Sequence, residues 1–382
     1  MANYDYEIVN GRKIRVRPKE TVSEIDKNGY FRRQPNHFTT PFGDGENDLK
    51  AESNKRYRLV WAKLCHWSNR AAIVRELEGL EDQISVNMVE HAPHEKNLGW
   101  EYVYNENNID PVLGDQFLSE AYYRADDDYQ GRTTVPALID TTTGKVVNND
   151  YNWLTTYFEV NFRPWHKKGA PELYPVELRE EIDKMNLWLF DNINNAVYRS
   201  SFSRSNEGHF DGVNTFYAAM DRLEKRLETN RFLFGDYVTD SDIRLYVTLA
   251  RLDIRYTAQL GETKRPLYTY KNLWGYAKEL WEIPAFAHHT DFAAIIRQGR
   301  IEGEEDGFRA STHYDLALPK IDWDAQWKVS TERAYLSSDP THPIYLGNNR
   351  RFDIDPTWYD LGAESPKKEE KETPPSCGCC CG

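Results

Sequence analysis

The sequence contains no apolar run of about 18 residues, so no segment reads as a helix that spans a bilayer. Its opening, MANYDYEIVNGRK, lacks the apolar stretch of roughly 7–15 residues that a secretory signal needs. Cysteine is scarce: there are five, and four of them (Cys377, Cys379, Cys380 and Cys381) crowd the C-terminal end. Cys65 therefore has no disulfide partner in the folded body, and a reducing compartment is expected. Positive charge is in deficit, with 48 Lys and Arg against 61 Asp and Glu, a net charge of −13. A field of that sign repels phosphate backbones and anionic lipid. The expectation is a soluble, cytoplasmic protein with neither nucleic acid nor membrane as partner. Aromatic residues are plentiful, with 24 Tyr, 16 Phe and 11 Trp, far too many for a disordered chain. A length of 382 residues favours two domains or one enlarged one.

Residues 1–54 are polar and mixed, carry scattered prolines and hold no sustained period, so they read as an extended arm packed on the surface. Tyr57 to Leu64 alternates as a strand does, with Tyr57, Leu59 and Trp61 set against Val60, Ala62 and Leu64. Cys65 follows, and from Ser68 the spacing turns helical, with Ala71, Val74 and Leu77 on one face and Arg70 and Arg75 off it. Ile84 to Val89 reads as a second strand, parallel to the first because a helix intervenes. A long aromatic stretch with a short helix near Asp115–Ala125 comes next, then a hairpin of Val135–Ile139 and Lys145–Val147. Asp150 is placed to N-cap a helix carrying Trp153, Leu154, Tyr157 and Phe158. Residues 164–176 have the proline-rich, charged composition of a linker. Beyond it, Leu178 to Val197 keeps helical spacing as one long helix, and a second runs from about Gly212 to Thr229. Thr239 and Asp242 form a capping box, with Val238 and Ile243 as its staple, and Leu273 to Trp281 makes another helix. Residues 301–363 are acidic but aromatic and read as a docked irregular flap, whereas 364–382 are charged and almost free of apolar side chains, hence disordered.

A βαβ–ββα unit with a cysteine opening its first helix and a Val-Pro before its third strand, followed by an all-helical part, is the architecture of thioredoxin-like glutathione transferases. The motifs go further. Cys65 to Arg70, Gly99-Trp100, Gly131 to Pro136, Val147 to Asp150, Asp191 to Arg199, Asp240 to Leu245 and Asn272 to Tyr276 together resemble the Xi-class glutathione transferases, the glutathionyl-hydroquinone reductases, over about residues 30 to 298. The resemblance implies a fold of α/β plus all-α class, with a thioredoxin-like glutathione-binding domain at 55–163 and a transferase-type helical domain at 177–300. It implies a Cys65 thiolate that attacks the glutathione sulfur of a glutathionyl-hydroquinone, after which a second glutathione resolves the mixed disulfide. Only the thiolate is nucleophilic, and a helix N-terminus stabilises it. Glutathione is then a co-substrate and no metal is needed. Trp100, Arg132, Thr134, Val135, cis Pro136, Asp150 and Tyr151 are carried over as its contacts, Val135 by backbone pairing and the Asp150 helix end by holding the γ-glutamyl carboxylate. Tyr198 and Tyr256 become the donors of an aromatic, quinone-derived acceptor site. A homodimer is implied as well. Blander roles stay open here, namely core packing for Trp100 and the tyrosines and a surface ion pair for Arg132.

Some residues depart from the family pattern. Its cysteine is followed by Pro-Trp-Ala-His, where this chain has His66-Trp67-Ser68-Asn69. A cationic His66 would lower the Cys65 pKa further. The family's Glu-Ser pair is Asp150-Tyr151, and the tyrosine expected after the last helix is absent, with Tyr314 a possible substitute. These leave an omega-like thiol transferase or dehydroascorbate reductase, or a non-catalytic binding protein, as alternatives. Arg251 and Asp253 read as a structural pair, Asp126 to Asp128 as a solvated acidic run, His288-His289 as no zinc site, and the cysteines of the tail as an accessory reactive group.

Overall fold

The structure is a computed structural model that describes residues 4–17, 23–92, 98–261, 265–296 and 321–337. The chain opens with a hairpin of β1 (Tyr6–Val9) and β2 (Arg12–Arg15), turned by Asn10 and Gly11 at positive φ. The main sheet is built from β3 (Tyr57–Trp61), which α1 (His66–Glu78) connects to β4 (Ile84–Met88). A small pair, β5 (Glu90–His91) and β6 (Trp100–Glu101), and the helix α2 (Leu118–Ala125) precede β7 (Ala137–Asp140), β8 (Lys145–Asn148) and α3 (Leu154–Val160). Strand order is β4-β3-β7-β8, with β3 parallel to β4 and the other pairs antiparallel.

Alternation along the strands sorts the core into two layers. Tyr57, Leu59 and Leu138 pack with α1, α3 and the helical part, while Val60, Ala137 and Ile139 pack on the other side with Leu118, Ala121 and Tyr122 of α2. β3 is buried along its whole length because both faces are covered. α1 stops at Gly79, which takes the left-handed conformation (φ 71°) that suits glycine and lets the N–H groups of residues 79 and 80 cap the carbonyls of Glu76 and Arg75.

The helical part comprises α4 (Arg179–Leu189), α5 (Ala196–Phe202), α6 (Asn206–Thr229), α7 (Asp240–Arg251), α8 (Thr257–Gln259), α9 (Lys271–Trp281) and α10 (Pro284–His288). Two stretches of π-helix interrupt it, Phe190–Asn194 between α4 and α5 and Leu252–Tyr256 between α7 and α8. The capping box of α7 is present: Asp242 accepts from Thr239 N–H (2.8 Å) and Oγ1 (2.9 Å), and also from Leu233 N–H and the Tyr276 hydroxyl. From the aromatic extension, α11 (Trp323–Trp327) seats Trp327 against Trp274, Phe292 and Tyr246.

The helices α5 and α6 touch at Gly212, where an added Cβ would lie 2.8 Å from both the Ala196 carbonyl oxygen and the Ser200 Cα. Both atoms belong to backbone and cannot swing away. Gly212→Ala is expected to lower unfolding stability by about 2–3 kcal/mol, read as a fall in the urea midpoint with unchanged slope.

Several elements differ from the sequence reading. The helix expected from 178 to 197 is broken by the first π stretch. α1 starts at His66, and Arg70 and Arg75 are buried with the rest of it, because the sheet, α3, α7 and α10 surround the helix. α3 begins at Leu154, so Asp150 does not cap it. Instead the Asp150 carboxylate caps the turn before it, accepting from Asn152 N–H at 3.0 Å. The acidic run 126–128 is met by the arm, with His37 on Asp126 (2.9 Å), Arg15 on Asp127 (3.2 Å) and Tyr4 on Asp128 (3.0 Å). Tyr314, the cysteines of the tail and most of 301–363 lie outside the described residues.

Candidate active site

Chain order at the end of β3 decides where Cys65 stands. After Trp61 a tight turn, closed by Cys65 N–H to the Ala62 carbonyl (3.0 Å), delivers the cysteine to the N-cap of α1 in extended conformation. The first-turn N–H groups of a helix have no intrahelical partners and carry positive partial charge, which favours an anion there. Cys65 is a free thiol, 8% exposed, with Sγ 3.8 Å from the Val135 carbonyl oxygen. The Val135–Pro136 peptide is cis, and β7 begins only at Ala137, so the Val135 backbone stands outside the ladder and next to the thiol. Thr134, one residue earlier, is tied through its carbonyl to the Tyr122 hydroxyl at 2.7 Å. Trp100 joins the same apolar cluster as Cys65 and stacks on His91 (3.7 Å between centroids).

The other side of the thiol comes from the helical part. Tyr256 ends the second π stretch and is 1% exposed, and its hydroxyl has no hydrogen-bond partner among the described residues. Burial, then the neighbouring Tyr198, pushes its pKa well above the ordinary value, so it stays a protonated donor. Tyr198 of α5 lies 6.4 Å from Tyr256 and 5.7 Å from Trp67 between ring centroids. Tyr151 adds its ring to this group, 4.7 Å from Trp67 and stacked on Phe190. Cys65, Val135, Tyr151, Tyr198 and Tyr256 are thus brought together around His66 and Trp67.

Two residues carried over from the family stand differently. Arg132 forms a two-pronged ion pair with Glu24 of the arm (2.8 and 2.9 Å). Asp150 accepts from Asn36 of the arm at 2.9 Å, and the N–H groups of residues 151 to 154 are engaged within the turn itself. The carbonyls of that turn are held from beneath by two buried arginines, Arg70 on Tyr151 and Arg244 on Asn152 (2.9 Å).

Sequence reasoning missed three features. His66 is no cation: burial, then Arg251, Arg33, Arg255 and Arg70, pushes it well below its ordinary pKa, so the imidazole is neutral. Arg251 does not pair with Asp253, which instead accepts from Leu267 N–H. Fully buried, it donates to the carbonyls of Leu64 (2.7 Å), Lys63 (2.9 Å) and Val247 (2.8 Å) and to Asn69. Burial pushes its pKa down, while Tyr256 and Cys65 favour its charge. Lastly, the arm is part of the site: the Arg33 guanidinium lies over Trp67 (4.6 Å) and Tyr198 (4.4 Å) and donates to Asn195 at 2.8 Å. The arm's irregular composition carried no signal for this. Arg251 had one, since an arginine in a helix apolar nearly all round must satisfy its donors inside.

Behind α1, Glu76 faces His288 Nδ1 (2.8 Å) and His289 Nε2 (2.9 Å). The His289 contact, which outweighs burial, and then His288 hold its carboxyl at about 2, down from 4.5. The folded-state value is depressed, so the stability this group contributes is present above pH 4.5 and is lost as pH falls towards 2. Glu76→Gln is expected to flatten that limb in acid unfolding curves followed by circular dichroism, and equal slopes for the two proteins would refute it. Among the described residues no three His, Cys, Asp or Glu side chains gather to hold a metal, and no helix is long and apolar enough to cross a membrane.

The chain is similar to several known proteins. The family described as glutathione S-transferase, C-terminal domain, matches residues 197–279. The chain is 35% identical over 280 residues to glutathione S-transferase omega-like 2 of Schizosaccharomyces pombe, covering 70% of this chain and 88% of that protein. It is 32% identical over 274 residues to glutathionyl-hydroquinone reductase YqjG of Escherichia coli, covering 70% and 83%. Among solved structures, the glutathione transferase Xi of Phanerochaete chrysosporium superposes with a TM-score of 0.66 at 33% identity, over 71% of this chain and 88% of that one. The glutathione-bound structure of YqjG superposes with a TM-score of 0.61 at 32% identity, over 70% and 87%.

Proposed function

Because the chain belongs to the Xi-class glutathione transferases, the glutathionyl-hydroquinone reductase family, we propose that it removes glutathione from glutathionyl-hydroquinones through a Cys65–glutathione disulfide. It is a glutathione-dependent enzyme of reductase or transferase type. The observation that carries the finer reading is Cys65 at the N-cap of α1, with its sulfur beside a Val135 backbone that the sheet leaves unpaired. An extended peptide such as glutathione can pair with that backbone and bring its own sulfur to the thiolate. Arg251 and the end of α1 supply the positive field a thiolate needs. Trp100, Thr134, Asp150 and Tyr151 border the glutathione side, and Tyr198 and Tyr256 supply the acceptor side, where phenol donors serve the departing hydroquinone. Arg132 reaches glutathione only by exchanging its Glu24 partner. A cytoplasmic homodimer completes the proposal.

Turnover of a glutathionyl-hydroquinone with excess glutathione tests this. The expected result is stoichiometric release of hydroquinone and glutathione disulfide, faster than reduction of dehydroascorbate or of a mixed-disulfide substrate. Preference for either of those would replace the proposal with omega-like chemistry, and failure to retain the protein on glutathione resin would favour a binding role.

A further inference from the structure

His66 occupies the position where the family carries proline, directly after the cysteine, and it is 1% exposed. A buried imidazole must account for two nitrogens. Nδ1 lies 3.0 Å from the Thr248 hydroxyl of α7. That hydroxyl oxygen accepts from the Asn194 amide at 2.7 Å, and the same amide nitrogen also donates to the Arg244 carbonyl. Thr248 and Asn194 are buried too, at 0% and 2%. Among the described residues Nδ1 is the one acceptor within reach of the hydroxyl proton, the other contact of that oxygen being the amide donor, so the proton is assigned to Nδ1 and the imidazole proton to Nε2. Donors therefore run in one direction, from Asn194 to Thr248 to His66. Nε2, on the far edge of the ring, is buried and has no partner among the described residues. The ring packs on Tyr198 (5.3 Å) and Tyr256 (5.7 Å), which lie 6.4 Å from each other, so the three rings form a triangle, and the Tyr256 hydroxyl is likewise buried and without a partner among the described residues. Two orphaned donors in one nest, beside the nucleophile, call for an oxygen.

We propose that His66 is a further catalytic residue, a neutral imidazole whose Nε2–H donates, together with the Tyr256 hydroxyl, to the ring oxygen of the hydroquinone as it departs from glutathione. This rests on the function proposed above. When Cys65 Sγ attacks the glutathione sulfur of the keto tautomer, the S–S bond forms and the carbon–sulfur bond breaks. The electron pair passes through the ring carbon to the carbonyl oxygen and leaves a phenolate. The thiol proton that the second glutathione gives up on resolving the Cys65 disulfide is the one this phenolate takes, so the cycle yields glutathione disulfide and hydroquinone with no other reagent. Charge develops on that oxygen only as the bond breaks, and a fixed donor there lowers the barrier without tightening the ground state. Arg251 from α7, Arg255 from the second π stretch, Arg33 from the arm and Arg70 from α1 surround the imidazole and keep it uncharged, so it acts as an electrophile and not as an acid, as a neutral histidine does in other enzymes that polarise an oxygen.

The test separates the two half-reactions in the full-length protein. His66→Pro restores a residue that suits the first position of a helix, so the fold is expected to hold, and His66→Gln keeps an N–H donor on a side chain of similar reach. With glutathionyl-hydroquinone in a single turnover, H66P is expected to release hydroquinone about 100-fold more slowly than the unaltered protein, and H66Q to recover a part of that loss. Mixed-disulfide formation at Cys65 from glutathione disulfide, followed by mass spectrometry, is expected to stay within about two-fold in both variants. Hydroquinone release by H66P at the unaltered rate would overturn the proposal, and so would an equal loss in both half-reactions, which marks a structural role. Absence of any Cys65–glutathione adduct in the unaltered protein refutes the underlying function instead, so the two failures are told apart.

Discussion

Cys65→Ala is expected to lower glutathione-dependent turnover by on the order of 10⁴-fold or more, because in the proposed mechanism this thiol forms the covalent intermediate and Cys65 is the one cysteine among the described residues. The fold should survive. The side chain is small, and its one hydrogen-bond contact among the described residues is the long approach of Sγ to the Val135 carbonyl, so the change in stability is expected to stay within about 1 kcal/mol. Mass spectrometry after exposure to glutathione disulfide gives the complementary readout, an adduct on the unaltered protein and none at this position in the variant. Retained turnover in C65A would remove Cys65 from the mechanism.

Arg251→Met should damage both stability and reactivity. The guanidinium closes the turn that presents the cysteine by binding the carbonyls of Lys63 and Leu64 and the side chain of Asn69, while its bond to Val247 keeps it in register on α7. Methionine fills much of the volume but leaves those carbonyls without a donor, each at about 1–3 kcal/mol when buried. A loss of about 3–5 kcal/mol is expected, measured by urea unfolding, along with turnover at least about tenfold slower as a buried cation bound to the carbonyl next to the proposed nucleophile disappears. Arg251→Lys keeps the charge but not the fork, so it should restore reactivity better than stability. An unchanged unfolding midpoint in R251M would show that the turn is held by other means.

The elements that sequence patterning could reach are those ruled by local periodicity. Tyr57, Leu59 and Val60 sort to two faces because a strand has period two, and Thr239 with Asp242 announced the start of α7 through short-range capping chemistry. What stayed hidden depends on partners far along the chain. Arg33 and Asn195 are 162 positions apart and Arg251 and Leu64 are 187 apart, and no local spacing encodes either pair. The π stretches were invisible for a different reason, since Leu189, Ile193 and Val197 keep a helical interval straight through one of them. The acidic composition spoke to the site as well. It led to the expectation that positive help for a thiolate is local, from a helix end and a cationic His66; the helix end is there, but His66 is neutral and four arginines gather around it.

Each π stretch holds about one residue more per turn than the helix around it, and each closes on a residue of the nest: Asn194 in the first, Tyr256 in the second. Such an extra residue cannot be removed by degrees. Deleting it would restore a regular helix with the flanking residues on the faces they already hold, but would take out of the wide turn the residue that it adds to the nest. The proposed catalytic nest is therefore written into the chain as a count of residues as much as a choice of them. Point substitutions can tune it, but loss of that one residue from either helix would erase it.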